Sequence, residues 1–141
     1  MTTSQSLENL AKIGKLKKES VSQKEFDGLV RSGRTRLADA REPSLAIESR
    51  FDLAYNASHA LALAALRWHG YRSENRYLVF QCLEDTLGLG PEYWRVLALC
   101  HERRNLAEYQ GHLNVDERLI ADLIQITGLL LEKASALGKI P

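Results

Sequence analysis

The run SLAIESRFDLAYNASHALALAALRWH, residues 44–69, decides the fold class. Within it Phe51, Ala54, Tyr55, Ser58, Leu61, Ala62 and Ala65 recur at spacings of three and four, which places them on one face of an α-helix. Nowhere in the chain do apolar and polar residues alternate for long enough to specify a strand. The face is rich in alanine and serine, and small side chains let a partner helix approach closely. Gly70 follows as a natural terminator, because glycine readily takes the left-handed conformation that ends many helices.

Upstream, Glu42-Pro43 interrupts the chain, since the residue before proline is driven away from helical angles. Before that break, Ser22 with Glu25 three residues later reads as a capping box that opens a helix through about Ala40. Phe26, Leu29, Val30 and Leu37 give this helix an apolar side, which Gly28 and Gly33 weaken. An earlier helix, capped by Ser4 or Ser6 and running to about Lys18, carries Leu7, Leu10, Ile13 and Leu16 on one stripe.

Downstream, Asn75 is placed to cap a helix from Arg76 to Leu87, with Tyr77, Phe80, Leu83 and Leu87 inward. Residues 88–91 form a turn that delivers Pro91 to the first turn of the next helix, which carries Trp94, Leu97 and Ala98 and closes at Gly111. Asp116 to Leu137 is apolar over a wide arc, as expected of a helix buried against several others or at a dimer interface. The expected fold is therefore all-α: an antiparallel up-and-down bundle of four to five main helices with an N-terminal helical extension. Residues 1–43 form that basic extension and residues 44–141 the bundle.

Composition agrees with a single globular domain. The chain has 141 residues, of which 45% are hydrophobic and 26% charged, enough to bury a core without disulfides or metal. No apolar stretch approaches the roughly 20 residues that a membrane span requires. Met1 to Lys18 is polar and lysine-bearing with no apolar signal region, so a cytoplasmic location is expected. Cys82 and Cys100 sit in helical patterns and are expected as reduced, packed thiols. The formal net charge is +1, and the basic excess lies in Lys12, Lys15, Lys17, Lys18, Lys24, Arg31, Arg34, Arg36 and Arg41. That excess is either a phosphate-facing surface or a solvated helix face.

No glycine-rich phosphate loop, zinc-ligand spacing or serine-nucleophile elbow is present. His101-Glu102 begins like a zinc-protease motif, but position 105 is asparagine, so the second ligand is missing. No metal or cofactor is expected. The densest polar constellation is instead His101-Glu-Arg-Arg-Asn-Leu-Ala-Glu-Tyr109-Gln-Gly111, where Arg104 and Asn105 offer a cation and an amide to a phosphodiester. Arg103 and His101 extend it. A solvated helix end, with Arg and His complementing the helix dipole, explains the same residues. A second polar row, Asp52, Asn56 and His59, shares one face of the long helix at i, i+4 and i+7, as either a cleft lining or a solvent face. Arg50, Arg72 and Arg76 add positive potential near helix ends.

Three pieces in order, Arg50 through His59 with Trp68 to Arg72, then Arg76 to Glu84, then Arg104-Asn105, resemble the HEPN family of small helical domains. The resemblance covers about two thirds of the chain. It implies a four- or five-helix bundle, usually a homodimer, whose motifs meet in a cleft between protomers. It also implies RNA as ligand: many members are metal-independent endoribonucleases of toxin–antitoxin or phage-defence systems, paired with a nucleotidyltransferase-type antitoxin. The alternative it leaves is a non-catalytic nucleotide- or protein-binding partner module. The family signature is an Arg, a polar residue and a His four to six residues beyond the Arg. Here Arg104 and Asn105 match, and Tyr109 stands at the histidine position. Tyrosine, with an ordinary pKa near 10, is a poor base for a ribose 2′-hydroxyl where histidine is well suited. By resemblance, Arg104, Asn105 and Tyr109 are the catalytic candidates, and Arg103, His101, Asp52 and His59 the nucleic-acid contacts.

Overall fold

The all-α expectation holds. The computed structural model describes residues 3–141, with side chains from residue 5 onward. In chain order the described residues form α1 (Thr3–Lys12), β1 (Lys17–Lys18), α2 (Gln23–Ala40), α3 (Ile47–Trp68), β2 (Tyr71–Arg72), α4 (Arg76–Gln81), α5 (Leu83–Leu87), α6 (Pro91–Gln110) and α7 (Glu117–Ser135). Among them no helix is long and apolar enough to cross a membrane.

The alanine-rich helix α3 is the centre of the molecule. Ala54, Tyr55, Ala57, Leu61, Ala64, Ala65 and Leu66 are all fully buried, because α2 packs along one side and α7 along another. Burial on so many sides explains the small side chains: each neighbour demands close approach. Gly33 of α2 shows the same requirement from the other side. A Cβ there would overlap the side chain of Leu61, lying 2.7 Å from its Cδ2. The glycine that weakens α2 as an isolated helix is therefore a packing residue. Gly33→Ala is expected to lower stability in a urea or thermal melt by about 1–2 kcal/mol, since overpacking of about 1–3 kcal/mol exceeds the ~1 kcal/mol gain in helix propensity. An unchanged or raised melting point would mean that Leu61 repacks freely.

Local signals set most helix ends. The Ser22 side chain accepts from the Glu25 backbone N–H (3.0 Å), Asn75 from that of Leu78 (3.1 Å) and Asp116 from that of Leu119 (2.8 Å). Gly70, Gly88 and Gly111 end their helices with positive φ. Glu25, however, does not complete a capping box. Its carboxylate is taken by Arg67 (2.9 Å) and Arg72.

Several boundaries differ from the sequence reading. The first helix stops at Lys12, and Lys17–Lys18 instead pair antiparallel with Tyr71–Arg72, a ladder too short to leave a periodic trace. Ser6 lies inside α1 and does not cap it; the side chain of Ser4 is outside the described residues. The third helix opens at Ile47, not Ser44. The segment Arg76 to Leu87 is two helices that meet at Cys82, whose carbonyl accepts from both Asp85 and Thr86 N–H at 2.9 Å. Leu7, Leu16, Phe26, Val30 and Ala40 from the N-terminal third join the same buried cluster as α3 and α7. Cys82 and Cys100 are buried free thiols, and burial pushes both up to about 12, which makes them inert.

The chain closes over Arg67. This side chain is 1% exposed, and its guanidinium donates to Glu25 Oε1 (2.9 Å) and to the backbone carbonyls of Glu19 (2.8 Å), Ser20 (2.5 Å) and Tyr71 (3.3 Å). It fastens the connection between β1 and α2, and the start of β2, to the end of α3.

Candidate functional site

The two polar features read from the sequence come together. On α3, Tyr55 is fully buried, and its hydroxyl lies 2.7 Å from His101 Nδ1 on α6. The other ring nitrogen, Nε2, lies 3.2 Å from Asn105 Nδ2 one turn further along α6. Two guanidinium groups face the Tyr55 ring: Arg76 from α4, 5.5 Å from its centroid, and Arg104 from α6, at 5.3 Å. Arg76 also donates to Asn56 Oδ1 (3.2 Å), while Asn56 Nδ2 donates back along its own helix to the Asp52 carbonyl (2.9 Å) and Oδ1 (3.3 Å). His59 packs edge-on against Phe80, with ring centroids 6.2 Å apart, beside the same cations.

Helical spacing explains each position. Tyr55, Asp52, Asn56 and His59 stand on adjoining turns of α3, and His101, Arg104 and Asn105 fall at i, i+3 and i+4 on α6. Asn75 starts α4 so that Arg76, the next residue, reaches across to α3. The result is a positive site whose histidines resist protonation. Burial first, then Arg76, His101 and Arg104, bring His59 down to about 4. Burial, then Arg104 and Arg76, likewise hold His101 below its ordinary value. Burial raises the Tyr55 phenol, against the pull of Arg76, so its hydroxyl stays protonated.

An open groove of about 530 Å³ runs beside this cluster, lined by Arg95, His101, Glu102, Asn105, Leu106 and Tyr109 among the residues of α6, together with Tyr77 of α4. Tyr109 is 91% exposed, so it borders the groove without joining the hydrogen-bonded cluster. Arg104 is partly exposed and approaches Glu108 at 4.0 Å. Arg103 points elsewhere: it donates to the Asn114 carbonyl (2.8 Å) and lines a separate groove with Asp116 and Arg118. Asp52 stays on the solvent side, held by Asn56. Of the other arginines expected to add potential, Arg72 is paired with Glu19 (3.2 Å) and Glu25, and Arg50 with the Ala40 carbonyl (3.0 Å) and Glu117 (3.5 Å), which removes both from this site.

Tyr55 is the component that periodicity concealed, because a residue on the packed face reads as core. The available signal was its hydroxyl: a phenol in the middle of an alanine face needs a buried partner. Among family models, curated proteins and solved structures, none matches this chain.

Proposed function

We propose that this chain is a HEPN-type RNA-binding protein of a toxin–antitoxin or phage-defence system, acting as a homodimer. The reading rests on one observation above all: Arg76 and Arg104, from different helices, converge on one tyrosine ring beside an open groove. Two guanidiniums held at one ring repel one another, and a phosphodiester between them relieves that repulsion while accepting from both. Tyr77 and Tyr109 along the groove supply faces on which unpaired bases stack, the usual mode of single-strand RNA recognition.

The test is fluorescence anisotropy of labelled single-stranded RNA with purified protein. Binding is expected to weaken as salt rises. Arg104→Ala is expected to reduce affinity about tenfold at fixed salt and to flatten the salt dependence, because one phosphate is no longer neutralised. An affinity for RNA that Arg104→Ala leaves untouched would sink the reading.

A specific observation supports a second reading, a non-catalytic partner module of, for example, a nucleotidyltransferase. Tyr77, Leu106 and Tyr109 are exposed apolar side chains beside one groove, the composition of a protein contact. Co-purification with a partner that masks this groove, with no affinity for RNA, is the outcome that would favour it.

A further inference from the structure

We infer that Tyr55, His101 and Asn105 form a one-way hydrogen-bond chain that fixes His101 as a donor and turns the Asn105 amide N–H groups toward the groove as a phosphate receptor. Tyr55 is thus a positioning residue, acting through His101. The inference rests on the RNA reading for the identity of the anion, but its direction follows from the buried phenol alone.

A neutral imidazole carries one ring proton, so the contacts at Nδ1 and Nε2 cannot both run inward. The choice is made by Tyr55. Its hydroxyl is fully buried, and a buried O–H needs an acceptor. The charged groups bearing on it are Arg76 from α4 and Arg104 from α6, and a guanidinium only donates. His101 Nδ1, at 2.7 Å, is the acceptor. Tyr55 therefore donates to Nδ1, and the proton of His101 resides on Nε2. The Asn105 atom placed 3.2 Å from Nε2 is Nδ2, which would set donor against donor, so we assign the amide turned over, with Oδ1 accepting from Nε2–H and the NH2 outward. Burial first, then Arg104 and Arg76, disfavour a second ring proton and so preserve the direction.

The consequence is chemical. With Nδ1 and Nε2 both occupied, His101 has no free lone pair for a ribose 2′-hydroxyl, and Tyr109 stands apart from the cluster. The site holds donors for a phosphate, namely Arg76, Arg104 and the Asn105 amide; its second histidine, His59, packs edge-on against Phe80 and, brought down to about 4, is too weak a base for the 2′-hydroxyl. The chain binds RNA and leaves it intact.

Long-range 15N–1H correlation spectra of the folded protein read the imidazole directly. The expected result is a neutral His101 protonated at Nε2, changing in Tyr55→Phe to a mixture of tautomers. In the anisotropy assay, Tyr55→Phe and Asn105→Ala are each expected to weaken RNA binding about 3- to 10-fold, and the double variant no more than the stronger single one, because both break the same chain. Circular dichroism melts confirm that Tyr55→Phe folds. If His101 carries its proton at Nδ1, if the two losses add, or if the wild type cleaves RNA in EDTA in a reaction that His101→Gln abolishes, the inference is overturned while RNA binding stands. A wild type with Nε2–H and no affinity for RNA overturns the anion assignment and the RNA-binding proposal, not the direction of the chain.

Discussion

Arg67→Ala is expected to cost about 3–5 kcal/mol, a large share of the roughly 5–15 kcal/mol by which ordinary domains are stable. The magnitude follows from what the substitution strands. Glu25 loses its buried counter-charge, three backbone carbonyls lose their donor, and the aliphatic stem leaves a void at the end of α3. Arg67→Lys is expected to recover little, because a single ammonium cannot reproduce a fork that reaches Glu19, Ser20, Tyr71 and Glu25 together. Urea denaturation of the three proteins is the measurement. A loss below about 1 kcal/mol for Arg67→Ala would show that the connection before α2 holds without its clamp.

Acid is expected to act on the protein through His59. In the unfolded chain this residue takes up a proton near its ordinary value of 6.5, whereas in the folded protein burial and the neighbouring cations delay protonation to about 4. Between those values the unfolded state binds more protons, so stability is fully present above 6.5 and falls as pH drops toward 4. The shift corresponds to about 3 kcal/mol over that window. His69 and His101, also lowered by burial, act in the same direction. His59→Gln changes the baseline stability but removes the proton linkage, so the quantity to compare is the slope. Urea melts at several pH values between 7.5 and 4 are expected to show a flatter decline in the variant. Parallel declines in the two proteins would mean that His59 is accessible to protons when folded.

Much of the architecture was legible because its signals are local. Ser22, Asn75 and the glycines at 70 and 111 act on their own backbone or on residues within three positions, and the period of α3 persists over six turns. What escaped depends on partners distant in sequence. The pairing of Lys17–Lys18 with Tyr71–Arg72 spans about fifty residues and has no period of its own. Arg67 looks like an exposed side chain at a helix end until the connection before α2 folds over it. The break at Cys82 has neither glycine nor proline to announce it. The candidate site was half legible for the same reason. His101, Arg104 and Asn105 share a helix face that spacing reveals, and Asp52, Asn56 and His59 share another. That the two faces meet through Tyr55, with Arg76 between them, is a property of packing.

The burial of α3 on several sides also has a kinetic consequence. A helix packed on α2, α4, α5, α6 and α7 is expected to exchange its buried amide hydrogens only when the whole domain opens, and the outer turns of α6 more often. Tyr55 is expected in the slow part and the exposed Asn105 and Tyr109 in the fast part. A ligand arriving at the groove would then meet exposed donors on α6 tied to a buried phenol on α3, so adjustment to its shape is expected on α6.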